Sequence, residues 1–397
     1  MLRPYQQEAF DAIKRDINEL GNSLIVMPTA SGKSHVIAAA ATLIQPVLIL
    51  VPSRELLSQN YEKLSLVVPK EEIGIYSASF NQRDIKKFTF ATIQSVYKIP
   101  GLFSHIKMVI IDESHMVSVR ALSSMYTSFL KEISATKVWG FTATPFRLEP
   151  SYLRESNGDL IQVTALKLIN RMRNKNHTEM FWKRIIYNIP HKNLLEQGYL
   201  CPLEYIHEPL MPYAEIPVNK SYSDYNLEVY TDAIVGREAQ ILSTISEAQK
   251  RYSSILVFCS TTEQARHLSS VIKGSAVVTA DTPKKERQSI VDDFKNGKIK
   301  TVFNMGVLLT GFDFPDLRCI ILLRPTRSLP LYAQMLGRLT RTSEGKTHGT
   351  VIDFTGTCKS LGKIESFELY RNSRGLWDLK TSKHEGWHNT VLFSRIV

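Results

Sequence analysis

One octet limits what this chain can fold into more than any other: Met27-Pro28-Thr29-Ala30-Ser31-Gly32-Lys33-Ser34. It follows the apolar run Ser23-Leu24-Ile25-Val26 and leads into Val36-Ile37-Ala38-Ala39-Ala40-Ala41. A buried strand, a tight turn ending in Gly-Lys-Ser and an Ala-rich helix form the layout of a phosphate-binding loop. Backbone N–H groups of Thr29, Ala30, Ser31 and Gly32 and the helix N-terminus face an anion. Lys33 adds a point charge on the terminal phosphates, and the Ser34 hydroxyl reaches Mg²⁺. The strict pattern has glycine where Met27 stands, so an ordinary turn before a helix is the alternative. The choice depends on whether the chain supplies the rest of a nucleotide site.

It does so in two places. Met108-Val109-Ile110-Ile111-Asp112-Glu113-Ser114-His115 is an apolar strand ending in adjacent carboxylates. There one acid, Asp112, suits Mg²⁺ and the next, Glu113, suits the attacking water. His115 contacts phosphate or communicates with a second domain, and Thr142-Ala143-Thr144 ends the next apolar strand. Far down the chain, Gln334-Met335-Leu336-Gly337-Arg338-Leu339-Thr340-Arg341 spaces two arginines one helical turn apart. Paired guanidinium groups suit charge that develops in phosphoryl transfer. Gly306–Asp313 is a glycine-bounded loop after a strand, fit to touch nucleotide and nucleic-acid backbone together.

Length and pattern set the frame. At 397 residues the chain exceeds one comfortable core. Strands are expected at 24–27, 47–51, 73–76, 88–91, 108–111 and 138–142, interleaved with helices such as 54–66, which implies a doubly wound parallel sheet. A second α/β series has strands at 254–259, 276–279, 301–304, 319–323 and 350–353, with helices at 262–272, 283–294 and 331–339. The expected domains are 1–150 and 241–357, separated by a proline-punctuated helical insertion, 151–240, and followed by an appendage, 358–397. Net charge +11 and a pI near 9.3 favour a polyanionic partner. No run approaches the roughly 18 apolar residues of a membrane span, and the N-terminus has no signal-peptide core. Cys201, Cys259, Cys319 and Cys358 form no Cys-x-x-Cys pair, so buried thiols in a reducing compartment are expected rather than zinc or disulfides. Lys167, Arg171, Arg173, Lys175, Lys183 and Arg184, interleaved with Phe181, Trp182 and Tyr187, read either as a basic helix for nucleic acid or as a solvated helix packed on the first domain.

This ordered series resembles the motor core of superfamily 2 helicases and translocases across nearly the whole chain. Leu2-Arg3-Pro4-Tyr5-Gln6 is similar to the adenine-reading motif, and Pro28–Ser34 to motif I. Asp112-Glu113-Ser114-His115 resembles the motif II box and Thr142-Ala143-Thr144 motif III. Leu256–Ser260, Val302–Asp313 and Gln334–Arg341 resemble motifs IV, V and VI. Val51–Leu56 and Ala91–Ser95 resemble the backbone-gripping motifs. Phe141-Thr142-Ala143-Thr144-Pro145-Phe146-Arg147 and Leu308–Asp313 look closest to RadD-type and restriction-translocase-like DNA helicases, although the chain lacks the cysteines of the RadD C-terminal region.

The resemblance implies two tandem RecA-like domains with ATP and Mg²⁺ between them. Lys33, Asp112, Glu113, Arg338 and Arg341 would carry catalysis, and Ser34 and Asp112 the metal. Arg3, Gln6, Thr29–Ser34, His115, Gly311, Asp313 and Gln334 would contact nucleotide. Arg54, Gln94, Thr310, Lys183 and Arg184 would contact nucleic acid, with DNA favoured. An RNA remodeller and a nucleotide-dependent switch without unwinding remain alternatives. A cytoplasmic, membrane-free monomer of bacterial or phage origin, working beside replication or recombination proteins, is expected.

Overall fold

A computed structural model of the protein describes residues 2–117, 125–154, 160–169, 180–219, 224–308, 313–380 and 391–393. The chain divides into two compact units, Met1–Arg147 with Lys167–Pro190, and Leu148–Leu166 with His191–Val397. Among the described residues no helix is long and apolar enough to cross a membrane.

The first unit is built on strands β1 (Asn22–Val26), β2 (Val47–Leu50), β3 (Ile73–Ser77), β4 (Gln82–Arg83), β5 (Phe88–Ala91), β6 (Met108–Ile111) and β7 (Lys137–Thr142). Two further strands, β8 (Phe146–Arg154) and β9 (Leu160–Leu168), follow, and β10 (Trp182–Asn188) returns to the first sheet. Its order is β10-β1-β7-β6-β2-β5-β3-β4, parallel except where β4 turns back on β3. The central strands β2, β5, β6 and β7 are buried along their whole length. Such continuous apolar runs are what a sheet covered on both faces requires. Every apolar segment expected in the first domain is a strand here, with ends shifted by at most two residues.

The second unit repeats the scheme with β11 (Leu203–His207), β12 (Ile255–Phe258), β13 (Ser275–Val278), β14 (Thr301–Asn304), β15 (Cys319–Leu322) and β16 (Gly349–Asp353). Their order is β11-β16-β15-β12-β14-β13, all parallel. Its core joins Val257, Phe303, Ile321 and Phe354 to the helix Glu238–Arg251 through Ile241 and Ile245. All four cysteines are free and buried. The tail contributes an antiparallel hairpin, Glu368–Arg371 with Trp377–Lys380.

The stretch read as a helical insertion is different in kind. Besides short helices at His191–Glu196 and Leu227–Ala233, it supplies edge strands to both sheets, β10 to the first and β11 to the second. The basic helix reading also gives way: Lys183 and Arg184 lie on β10, while Arg171, Arg173 and Lys175 lie outside the described residues. Trp182 is fully buried, and its ring tip fills the space that a Cβ on Gly140 of β7 would need. Arg184 Nε stands 3.1 Å from Asp16, and its Nη1 donates to Glu19 at 3.1 Å. Asp16 is buried at the end of the helix Pro4–Asp16 and also takes Lys137 at 2.7 Å and the Trp139 indole N–H at 2.9 Å. A buried carboxylate needs such partners. The Arg184 guanidinium is therefore an internal tie between that helix and β10, whereas Lys183 remains exposed.

Trp182→Ala should cost about 3–5 kcal/mol of stability through the cavity it leaves. Arg184→Ala should also lower the denaturation midpoint, and Lys183→Ala should leave it unchanged; urea melts of the three variants check this ordering.

Candidate functional site

β1 leads into the Pro28–Ser34 loop, whose last two residues open the helix Lys33–Ala41. Two consecutive reversals of backbone shape make the loop: Ala30 at φ 68° and Gly32 at φ 74°. Both lie in the left-handed region, which costs a non-glycine residue roughly 1–2 kcal/mol. Ala30 therefore carries strain that glycine would not. The loop is held from inside and outside. Ser31 Oγ donates to Pro28 O at 2.7 Å, so this hydroxyl closes the loop on itself. From the first helix, Tyr5 Oη and Gln6 Nε2 both donate to Ser31 O, at 2.8 and 3.0 Å. Gln6 Oε1 in turn accepts from the Arg3 backbone N–H at 3.0 Å. The Leu2–Gln6 motif thus fixes the main chain of the loop.

The carboxylate pair reaches the same place from β6. Glu113 adopts φ 50°, a sharp left-handed turn that aims its side chain back toward the loop. Lys33 Nζ and Glu113 Oε1 are 4.0 Å apart, both mostly shielded. Asp112 is buried; its oxygens accept from Asn60 Nδ2 at 3.0 Å and the Glu113 N–H at 2.9 Å. Burial, then the neighbouring Glu113 charge, push its carboxyl up to about 6, with Lys33 pulling the other way. A carboxylate so destabilised is one that a cation would relieve. With the Ser34 hydroxyl it offers the hard oxygen donors that Mg²⁺ prefers, from one carboxylate rather than an all-protein cage.

His115 joins the two neighbouring motifs. Its Nδ1 lies 2.9 Å from Thr142 Oγ1, 3.3 Å from Thr144 Oγ1 and 3.4 Å from Glu113 Oε2. Burial, reinforced by Lys33 and Arg147, holds its pKa down to about 3. The ring is therefore neutral at physiological pH and acts as a hydrogen-bonding link. Arg147 Nη1 donates to the carbonyls of His115 and Met116 at 3.1 and 3.0 Å, which fixes the turn beyond.

Two of the expected nucleic-acid contacts, Arg54 and Gln94, sit just beyond the carboxyl ends of β2 and β5. Arg54 opens the helix Arg54–Leu64, stacks over Phe80 at 4.1 Å and donates to Ser79 O. Gln94 is exposed. Around them Thr92 and Ser95 share a hydrogen bond at 2.9 Å, and Ser77 and Ser79 share another at 3.0 Å. Thr310 and Gly311 lie outside the described residues.

In the second unit Asn304, at the end of β14, accepts from the N–H groups of Val307 and Leu308 and shapes the start of the following loop. Asp313, beyond it, pairs with Arg341 at 2.9 Å. Gln334 lies on the helix Leu329–Leu336, but that helix stops before either arginine. Arg338 and Arg341 instead stand on the turned segment that follows the helix, so the two do not share one helix face. Arg338 is buried, and burial lowers the pKa of Arg341. Sequence reasoning did not single out Asn60 or Lys346, and took Tyr5 only as part of a motif. Their roles rest on contacts between distant segments, and no local pattern marks them.

Two family models match the chain: the res subunit of Type III restriction enzymes over residues 1–147 and the helicase conserved C-terminal domain over 237–343. A putative ATP-dependent helicase, IRC3 of Saccharomyces cerevisiae, is 26% identical over 92% of this chain and 53% of its own length. A DNA 3'-5' helicase XPB of Kineococcus radiotolerans is 26% identical over 86% of this chain and 57% of its own. Among solved structures, the ATP-dependent Type ISP restriction-modification enzyme LlaBIII bound to DNA superposes with a TM-score of 0.63 at 16% identity, over 89% of this chain and 27% of that one. The chain thus spans little more than half the length of these curated relatives.

A Cβ on Gly32 would stand 2.6 Å from Gln6 Nε2 in a left-handed backbone. Gly32→Ala should therefore cost about 1–2 kcal/mol. Adding Gln6→Ala should remove the clash but not the backbone strain, so a double-mutant cycle in denaturant should show positive coupling.

Proposed function

We propose that this chain, a member of the superfamily 2 helicases of the restriction-translocase type, couples ATP hydrolysis to movement along DNA. The observation that carries the reading is the Lys33–Glu113 pair, with Asp112 behind it at the carboxyl end of β6. An ammonium and a carboxylate held this close over an anion-binding loop serve a phosphate and its attacking water.

In this reading the loop N–H groups and Lys33 bind the terminal phosphates. Ser34 and Asp112 hold Mg²⁺, which supplies charge neutralisation when bound. Glu113 accepts a proton from the attacking water. His115, whose pKa is held down by burial and by Lys33 and Arg147, links the Glu113 carboxylate to Thr142 and Thr144 as a neutral ring. Arg338 and Arg341 stabilise the charge that develops on the transferred phosphoryl group. Arg3 reads the base while Gln6 braces the loop beneath it; Asp313 orients Arg341, and Gln334 contacts the nucleotide. Arg54, Gln94, Thr310 and Lys183, with the hydroxyl cluster around Ser79 and Ser95, grip the phosphodiester backbone. Net charge +11 supports a polyanionic track. DNA is the preferred track because several of the relatives, XPB among them, are named DNA 3'-5' helicases. Such work belongs in the cytoplasm of a bacterium or a phage-infected host.

Lys33→Ala and Glu113→Gln should each abolish nucleic-acid-stimulated ATP hydrolysis, and Arg338→Ala or Arg341→Ala should lower kcat at least about a hundredfold. Stimulation should be strongest with single-stranded or forked DNA, and a labelled strand should be displaced from the fork. Stimulation by RNA alone would make the protein an RNA remodeller, and hydrolysis without displacement or movement would make it a switch. Wild-type turnover by the Lys33 or Glu113 variant would refute the reading.

A further inference from the structure

The turn that carries Arg338 and Arg341 begins where the helix Leu329–Leu336 stops. Past the helix the chain has no ladder to take up its carbonyls, and in this turn several find donors elsewhere. Gly337 O accepts from Thr340 Oγ1 at 3.0 Å. Leu339 O accepts from Lys346 Nζ at 2.8 Å, and Thr340 O from the Cys201 N–H at 2.7 Å. Arg341 O accepts from Lys346 Nζ at 2.9 Å. Lys346 donates once more, to Pro315 O at 3.2 Å. An ammonium has three protons, so Lys346 is fully engaged, and all three bonds go to main-chain carbonyls.

These bonds join two separate segments. Pro315 closes the stretch that begins at Asp313, and Leu339 and Arg341 belong to the arginine turn. The Arg341–Asp313 pair links the same segments through their side chains. Lys346 is buried, an expensive position for a charge unless its bonds are needed.

We propose that Lys346 is a positioning residue for ATP hydrolysis, whose ammonium locks the main chain of 339–341 to Pro315 and so sets the directions of the Arg338 and Arg341 guanidinium groups. The proposal rests on the reading of those arginines as transition-state cations. Lys346 itself touches no substrate. Charge-assisted bonds are among the stronger main-chain ties, and displacing a reacting group by about 1 Å can cost about a hundredfold in rate.

The groups facing the ammonium are Cys201, Asp316, Arg318 and Arg341. Burial holds its pKa down to about 8, with Arg318 and Arg341 pushing in the same direction and Cys201 and Asp316 opposing. The charged form is thus the one present below about pH 8 and is lost as pH rises through that value. The neutral amine keeps two protons for three carbonyls, so kcat should fall across this window while the KM for ATP holds.

The test is steady-state ATP hydrolysis with saturating DNA, from about pH 6.5 to about pH 9.5, on the full chain and on Lys346→Met, Lys346→Arg and Arg341→Ala. Lys346→Met should lose about tenfold or more in kcat, with the ATP KM within about twofold. Lys346→Arg should retain most of kcat and lack the fall near pH 8, because a guanidinium stays charged there. Wild-type kcat in Lys346→Met beside an inactive Arg341→Ala would overturn this proposal and leave the arginine reading intact. Wild-type turnover in Arg341→Ala and Arg338→Ala would overturn the arginine reading instead. If thermal melts show that Lys346→Met does not fold, the profiles of wild type and Lys346→Arg decide: the same fall in both would overturn the proposal.

Discussion

Strand β7 is the spacer on which the candidate site depends. In the sheet order it lies between β1, which delivers Lys33, and β6, which delivers Asp112 and Glu113. Its last residue serves both neighbours: Thr142 O accepts from Met27 N–H at 3.0 Å, and Thr142 Oγ1 meets His115 at 2.9 Å. Parallel pairing fixes neighbouring strands at about 4.8 Å, so one intervening strand sets the distance over which Lys33 and Glu113 must reach. Gly140 lets this strand lie close under its covering groups. A Cβ there would strike Trp182 at 2.3 Å and Ser114 at 2.8 Å, and Ser114 belongs to the Asp112–His115 box itself. The packing of Trp182 and the geometry of the site are therefore set by the same strand.

The loop and the carboxylate turn solve a similar backbone problem with different residues. Ala30, Gly32 and Glu113 all take positive φ. Side-chain size alone accounts for a small residue at position 30, but the structure shows that conformation is the stronger demand. Alanine meets the steric requirement and still carries the left-handed penalty, which the Tyr5 and Gln6 bonds to Ser31 O help to offset. Glu113 has no such excuse of size. A long acidic side chain in a left-handed turn persists only where its surroundings over-determine it, and Lys33, His115 and the Asp112 carboxylate do so.

Much of this was legible in the sequence, for a definite reason. Buried parallel strands such as Met108–Ile111 and Thr301–Asn304 read as unbroken apolar runs, and their ends are marked by the polar residues of the site. Trp182–Asn188 and Leu203–His207 were not legible as strands. They are sheet edges that mix charged and apolar residues, with burial that alternates or fades along their length, in a stretch broken by prolines. Arg184 shows the same limit at the level of a side chain. Its charge suggests nucleic acid, yet its partners are Asp16 and Glu19, more than 160 residues away in the chain. The arginine turn fell between these cases: its residues were identifiable, but the helix ends early, and the donors that hold the turn beyond it come from Cys201 and Lys346.

The two units also divide the electrostatic problem. In the first, one ammonium stands beside two carboxylates, and the unfavourable group is the buried acid, whose pKa is driven upward. In the second, Arg341 pairs with Asp313, Lys346 and Arg318 stand beside Asp316, and burial lowers the pKa of both Arg341 and Lys346. Each cluster therefore holds an excess of charge of one sign under partial desolvation. An excess acid charge is relieved by a divalent cation, and an excess basic charge by a phosphate. Preorganised charges that are already aimed and already dehydrated stabilise a developing charge without further rearrangement. Two bonds from a single lysine hold the arginine turn, and a third ties it to Pro315, so the cost of burying that ammonium is met by main-chain carbonyls.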